Sequence, residues 1–245
     1  MKQGLVLDKV VLLGRTLDEY RRYFVLDLDA LRDKEVLDVA SGVSSFCAEA
    51  NQLGLHVTAF DAIYELDAEQ IRQRCKPDLN HVTDAIKDLK TYRWDFYESP
   101  EKLRGLRERA YKAFLEDYRA HGGGRLPSLE GLGVGAPAAR RYVPGLLPKL
   151  PFADGQFDVT LVSYLLFVYE DQFDYEFHQQ SLLEIMRVTR GEARMYPLVS
   201  FEAVRCSYLD RLKNDPTLKQ FGFEEMRTDF EFLINSNCYL RVFRR

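Results

Sequence analysis

Glu35-Val36-Leu37-Asp38-Val39-Ala40-Ser41-Gly42-Val43-Ser44-Ser45-Phe46 is the stretch on which the reading of this chain turns. Its first half is apolar apart from one acid and has the length of a buried strand. Small residues follow from Ala40 to Ser45, and a helical pattern begins at Ser44. Small side chains let a ligand approach the backbone closely, and a helix N-terminus offers unpaired N–H groups to an anion such as a carboxylate. Taken alone, the same residues equally describe an ordinary buried strand and turn.

Working outward, further strands are expected at residues 55–60, 157–163 and 193–198, and helices at 44–53, 66–75, 174–188 and 201–213. Strand and helix alternate, which argues for a parallel sheet flanked by helices. Residues 222–227 and 232–243 form a closing pair, and the short connection at 228–231 requires an antiparallel hairpin. Almost a hundred residues separate the second strand from the strand at 157, so a segment is inserted there. One long helix is expected within it at 99–119, with Ser99 as N-cap, Pro100 at the first position and Glu101 in the first turn. It should stop at His121-Gly122-Gly123-Gly124, with a loop over 122–137. The expected organisation is one domain over 1–245, with a helical cap at about 14–26 and an insertion at about 78–140.

Two more passages carry chemistry. Val57-Thr58-Ala59-Phe60-Asp61 ends a strand in a carboxylate about 20 residues after the small-residue turn, the spacing at which dinucleotide sites set an acid against ribose hydroxyls. Asp61 then accepts from a vicinal diol, or else caps the next turn; Ile63 and Tyr64 follow it, and either could equally be core. Leu150-Pro151-Phe152-Ala153-Asp154-Gly155-Gln156-Phe157-Asp158-Val159 leads through a turn into a strand that ends at Ser163-Tyr164. Ligands of open α/β sheets bind beyond such carboxyl ends.

Together these passages resemble the class I S-adenosylmethionine-dependent methyltransferases. Val36-Leu37-Asp38 with Gly42 looks like their first motif, Asp61 matches their ribose acid, and Leu150–Val159 is similar to their passage into the fourth strand. The resemblance spans roughly residues 35–198. It implies a Rossmann-like, doubly wound, mainly parallel seven-stranded sheet with an antiparallel C-terminal hairpin, and S-adenosylmethionine as cofactor. It also places Asp38, Ala40, Ser41 and Gly42 beside the methionine part of the cofactor, and Asp61, Ala62 and Ile63 toward ribose and adenine. Ser163 and Tyr164 would then stand at the reacting end. The chain departs from the family where glycine is usual at the positions of Ala40 and Ser44. It also lacks an acid in Gly145-Leu146-Leu147-Pro148 and the Asn/Asp-Pro-Pro-Tyr/Phe signature of enzymes that methylate planar nitrogens.

Residues 14–24 read as an amphipathic helix capped by Thr16, with Glu19 completing a capping box. Similar enzymes fold such a helix over the cofactor, so Arg15 is expected at its carboxylate and Tyr20 across the pocket mouth; a solvated helix with its tyrosine docked on the core is the alternative. His178, near Asp174 at the start of a helix, is a candidate general base beside Tyr164, although most histidines so placed lie on the surface. Tyr164, Phe167 and Tyr169 are expected to border the acceptor. Gly131-Leu132-Gly133-Val134-Gly135 lacks a preceding strand and reads as a loop. Arg104, Arg107, Arg109, Lys112, Arg119 and Arg125 give the insertion a basic flavour that interleaved acids offset.

With 46% hydrophobic and 29% charged residues, the 245-residue chain has the composition of a folded domain. Its net charge of −4 gives no global attraction to a polyanion. No apolar run approaches the roughly 20 residues of a membrane span, no secretory leader is legible, and the cytoplasm is the expected location. Cys47, Cys75, Cys206 and Cys238 lack zinc-ligand spacing and read as reduced thiols, so no metal is expected. A methyltransferase acting on a small molecule is the leading expectation. An RNA methyltransferase and a noncatalytic S-adenosylmethionine-binding module are the alternatives, and the missing GxGxxG pattern disfavours a nicotinamide oxidoreductase.

Overall fold

The structure, a computed structural model, describes residues 5, 7, 10–122 and 140–245. In chain order its elements are α1 (Leu17–Phe24), β1 (Glu35–Val39), α2 (Phe46–Gln52), β2 (His56–Asp61), α3 (Ala68–Ile86), α4 (Pro100–His121), β3 (Tyr142–Pro144), β4 (Phe157–Ser163), α5 (Tyr175–Val188), β5 (Thr189–Tyr196), α6 (Leu209–Lys213), β6 (Phe221–Arg227) and β7 (Cys238–Arg244). The strands form one sheet in the order β3-β2-β1-β4-β5-β7-β6. β1 to β5 pair in parallel, and β7 runs antiparallel between β5 and β6. This is the doubly wound order with a seventh strand inserted, and its direction reverses between β1 and β4.

The central strands are covered on both faces, which is why they read as apolar runs rather than alternating ones. Period-2 geometry divides their side chains between two layers. Leu37, Val39, Phe60 and Val162 pack against residues of α5 and α6, including Ile185 and Leu209. Val36, Val57, Ala59, Val159 and Leu161 pack on the layer built from α1 to α4. Asp38 and Ser163 share the parity of this second group, so both point toward α1.

Three expectations are corrected. The strands at 222–227 and 238–244 are joined by residues 228–237 rather than 228–231, because Phe230, Phe232 and Leu233 leave the sheet to bury themselves against Tyr92, Phe96 and Tyr97 of the insertion. Of residues 201–213 only Leu209–Lys213 is helical; the chain first makes a bridge between Val199 and Arg205. The helix after β2 runs to Ile86, well beyond Cys75. Residues 123–139, which hold Arg125 and the Gly131–Gly135 loop reading, lie outside the described residues.

The insertion is fastened to the sheet by polar groups at the end of α4. Tyr118 Oη donates to the carbonyls of Tyr64 and Leu66, both at 2.9 Å. Asp117 accepts from Tyr142 Oη at 2.7 Å and from Arg141 Nη1 at 2.5 Å, tying α4 to β3. The expected N-cap at Ser99 is present, accepting from the Lys102 amide.

The expected capping box between Thr16 and Glu19 opens α1, but the helix is not a detachable cap. Tyr20, Tyr23 and Phe24 are fully buried, Tyr20 stacking on Phe46 and Tyr23 on Tyr196. Glu19 is also fully buried and meets Arg107 of α4, whose Nη1 lies 2.5 and 2.7 Å from its two carboxylate oxygens. The hydroxyls of Tyr23 and Tyr97 donate to the same carboxylate. Burial alone would raise the Glu19 pKa, but the Arg107 charge and these hydrogen bonds outweigh it and leave the carboxyl below its ordinary value.

Arg107→Met should therefore cost about 3–5 kcal/mol in urea unfolding, because it strands a buried carboxylate, while Glu19→Gln combined with Arg107→Met should recover a large part of that loss. The lowered Glu19 pKa makes its contribution complete above the unfolded-state value and lost as pH falls through the folded-state value. The double variant should accordingly lose less stability in acid than the wild type.

Candidate active site

The carboxyl ends of β1, β2 and β4 open onto a cleft of about 370 Å³. Arg15, Ala40, Ser41, Gly42, Asp61, Ala62, Ile63, Ser163 and Tyr164 all line it. Tyr20 and Asp38 do not; they lie fully buried beneath it, hydrogen-bonded to each other. A tyrosine on an amphipathic helix faces either the mouth or the core, and here stacking on Phe46 turns it inward.

The two departures from the glycine-rich pattern have separate physical readings. Ala40 adopts φ +57° and Gly42 φ +56°, both left-handed. Glycine takes that conformation freely, whereas alanine does so at a cost of about 1–2 kcal/mol, so Ala40 holds the loop shape under strain. Ser44 uses its hydroxyl: Oγ accepts from the Arg15 amide at 3.2 Å, and the Ser45 amide donates to the Arg15 carbonyl at 2.9 Å. The segment before α1 is thereby stitched onto the loop, close enough that a Cβ on Gly14 would lie 2.5 Å from the Val43 carbonyl.

Asp61 is engaged by both loops. Its Oδ2 accepts from the Gly42 amide and its Oδ1 from the Ile63 amide, each at 2.9 Å, so it caps the turn over Ala62–Glu65 and links it to the loop after β1. Burial raises its pKa against these two bonds. Each carboxylate oxygen keeps a further lone pair, so capping and ligand binding are compatible. Ile63 faces the cleft, while Tyr64 turns into the core and donates to the Gly42 carbonyl at 2.8 Å. Phe60, Leu146 and Leu147 add an apolar wall where the acid of the family pattern is missing.

Two polar atoms at the cleft, Ser41 Oγ and Arg15 Nε, are buried without a hydrogen-bond partner among the described residues. The Arg15 guanidinium lies 3.9 Å from the ring centroid of Tyr164, and its Nη1 donates to the Leu13 carbonyl. Tyr164 itself holds φ +53°, an outlier for a bulky residue of the kind that clusters at functional sites. Beyond Arg15 and Tyr164 is a second space of about 60 Å³, walled by Leu79, Val82, Tyr92, Leu103, Tyr169 and Phe232.

Sequence reasoning missed the cleft's contributions from Val10 to Leu13, Arg74, Phe173 and Phe177. The apolar run Val10-Val11-Leu12-Leu13 was the available signal. Two proposed roles are not supported by placement. His178 is fully buried, with ring nitrogens 2.7 Å from the Asp174 carbonyl and 2.9 Å from the Leu166 carbonyl, so neither is free for a substrate. Phe167 packs beside His178 in the layer with α5, away from the second space, which Tyr164 and Tyr169 line.

No family model matches the chain. The uncharacterized protein MJ0045 of Methanocaldococcus jannaschii is 34% identical over 242 residues, covering 98% of this chain and 99% of that protein. The chain belongs to the MJ0045 family. Among solved structures, magnesium protoporphyrin IX methyltransferase of Synechocystis PCC 6803 with bound SAM is 14% identical, with a TM-score of 0.47 over 94% of this chain and 78% of that one. A putative S-adenosyl-L-methionine-dependent methyltransferase of Methanococcus maripaludis is 10% identical, with a TM-score of 0.40 over 94% and 83%. By its strand order, this member of the MJ0045 family has a Rossmann-like, doubly wound, mainly parallel seven-stranded sheet with an antiparallel C-terminal hairpin.

Ala40→Gly should leave stability equal or raise it by up to about 1 kcal/mol, since relief of left-handed strain exceeds the entropy glycine adds to the unfolded chain. Asp61→Ala should lower stability by about 1–2 kcal/mol through loss of two amide hydrogen bonds. Thermal and urea unfolding of both variants measure these changes.

Proposed function

We propose that this protein transfers the methyl group of S-adenosylmethionine to a small-molecule acceptor. The observation that carries the reading is the cleft at the reversal of strand order, where Asp61, the Ala40–Gly42 loop and the unpartnered Ser41 Oγ and Arg15 Nε converge. The residues at the cleft suit the cofactor: Asp61 would hold its ribose diol, Ser41 and Arg15 its methionine carboxylate, and Phe60, Ala62, Ile63 and Leu147 its adenine. When bound, the cofactor supplies a sulfonium methyl open to in-line attack. The chain's part is then to align the acceptor and exclude water, which is where most of the rate gain in such a displacement resides.

The acceptor side is the space beyond Tyr164, whose apolar and aromatic lining suits an organic group. The basic residues of α4 are largely engaged, Arg107 with Glu19, Arg104 with Asp84 and Lys112 with Glu108, which weighs against an RNA substrate. We read residues 1–245 as one functional unit. The four cysteines are free thiols, in keeping with the reducing cytoplasm, and no described helix is long and apolar enough to cross a membrane.

Calorimetry should show S-adenosylhomocysteine binding with micromolar affinity and a raised melting temperature. A response to NADH but not to S-adenosylhomocysteine would sink the proposal. Asp61→Ala should weaken S-adenosylhomocysteine by roughly tenfold to a hundredfold, with Asp61→Asn between it and the wild type. RNA binding that falls steeply with salt would move the acceptor assignment to nucleic acid.

A further inference from the structure

Beneath the cleft, groups from three elements form an unbroken hydrogen-bonded line. Ser163, at the end of β4, lines the cleft, and its Oγ lies 3.1 Å from the Tyr20 hydroxyl on α1. The Tyr20 hydroxyl lies 3.0 and 3.1 Å from the two carboxylate oxygens of Asp38 on β1. Ser163 is 4% exposed, and Tyr20 and Asp38 are fully buried. An ionised carboxylate has no hydrogen to give and a phenol has one, so Tyr20 donates to Asp38 and Ser163 must donate to Tyr20. Every donor points from the cleft toward the acid.

As a strut between α1 and β1 this arrangement is costly, because a neutral or apolar pair would join the same elements without burying a carboxylate. The groups facing Asp38 do not neutralise it: Ser41 comes from the loop after β1, Tyr20 from α1, Arg15 from the segment before it, Cys47 from α2, and Asp61 and Tyr64 from the end of β2 and its turn. Burial pushes the Asp38 carboxyl up to about 7; the Ser41 hydroxyl, the Tyr20 hydrogen bond and the Arg15 charge act against it, in that order, and the Asp61 charge acts in the same sense as burial. Near neutral pH it is therefore poised to take a proton.

We propose that Ser163 and Tyr20 form a relay that carries a proton from the methyl acceptor to Asp38, and that the acceptor is a protic nucleophile bearing O–H, N–H or S–H. This rests on the methyltransferase reading. In the step, the acceptor's proton bonds to Ser163 Oγ, the Ser163 hydroxyl proton to Tyr20 Oη, and the Tyr20 proton to an Asp38 oxygen. Three bonds to hydrogen break and three form; Ser163 and Tyr20 end neutral, and Asp38 ends as a carboxylic acid that returns the proton by the reverse path. Ser163 is the member facing the acceptor, with Tyr20 and Asp38 acting through it.

The test has two arms. In the ligand-free protein, carbon-13 NMR of aspartate carboxyls, with the Asp38 signal assigned by its loss in Asp38→Asn, should show Asp38 titrating with a midpoint of about 7. Tyr20→Phe should move that midpoint upward, because the charged form loses its donor. An Asp38 that stays ionised from about pH 5.5 to 8.5 overturns the relay, since its acid could then take no proton near neutrality. In the second arm, S-adenosylmethionine and S-adenosylhomocysteine are titrated calorimetrically at pH 7 in buffers of different ionisation enthalpy. The sulfonium charge of the former should lower the Asp38 midpoint; a drop of about one unit takes its occupancy from about one half to one tenth, releasing roughly 0.4 proton more than the latter does. The difference should vanish in Asp38→Asn. Binding of both ligands with equal proton counts, or a difference that survives in Asp38→Asn, removes the relay alone. Binding of neither removes the methyltransferase reading and the relay with it.

Discussion

The buried pair of Glu19 and Arg107 is the constraint on which the placement of the site depends. An ion pair out of water is worth keeping only when its remaining donors and acceptors are satisfied, and here they are. Glu19 also receives the Thr16 amide at 2.8 Å and the hydroxyls of Tyr23 and Tyr97, while Arg107 donates to Tyr97 and to the Gly14 carbonyl at 3.0 Å. One network thus fixes α1, α4 and the backbone at Gly14. Arg15 follows directly, held over Tyr164, and one turn into α1 Tyr20 is set against Asp38.

The two acids of the site have been given different tasks by their surroundings. Asp61 is held by two backbone amides and faces the cleft, the environment of a fixed acceptor of hydrogen bonds. Asp38 sits behind the floor, and a phenol is the hydrogen-bond donor to both its oxygens. Period-2 alternation is the origin of the second arrangement. Asp38 and Ser163 fall on the α1 side of adjacent strands, so a single tyrosine from that layer reaches both.

What was legible in the sequence was what local chemistry decides. The run Val36–Val39 has to be a buried strand, Thr16 with Glu19 and Ser99 with Pro100 announce their helices, and Asp61 stands where a strand must stop. What was not legible depended on distant partners. β3 spans only Tyr142–Pro144 and exists because β2 offers it an edge. Phe230 and Phe232 look like strand residues, yet the insertion offers their rings a better burial than the sheet does. Glu19 reads as a capping residue, and nothing near it in the chain signals an arginine 88 residues away. Ala40 and Ser44 read as losses from a glycine pattern, whereas one is a strained loop residue and the other a working acceptor.

The crossing at Gly14 bears on how such a protein can diversify. A side chain there would meet the Val43 carbonyl, the Tyr111 amide and the Ala110 methyl, two of them backbone atoms that no rotamer change can clear. The segment before α1, the loop after β1 and the middle of α4 are therefore interlocked, and none can be reshaped without the others. Leu79, Val82 and Leu103 carry no such obligation; they meet the space beyond Tyr164 with ordinary side chains from α3 and α4. Exchanging one aliphatic group for another at those three positions alters the size and shape of what the chamber admits while leaving the loop beneath Arg15 untouched. Variation is free to accumulate on the helical wall, and the floor is held to a single form.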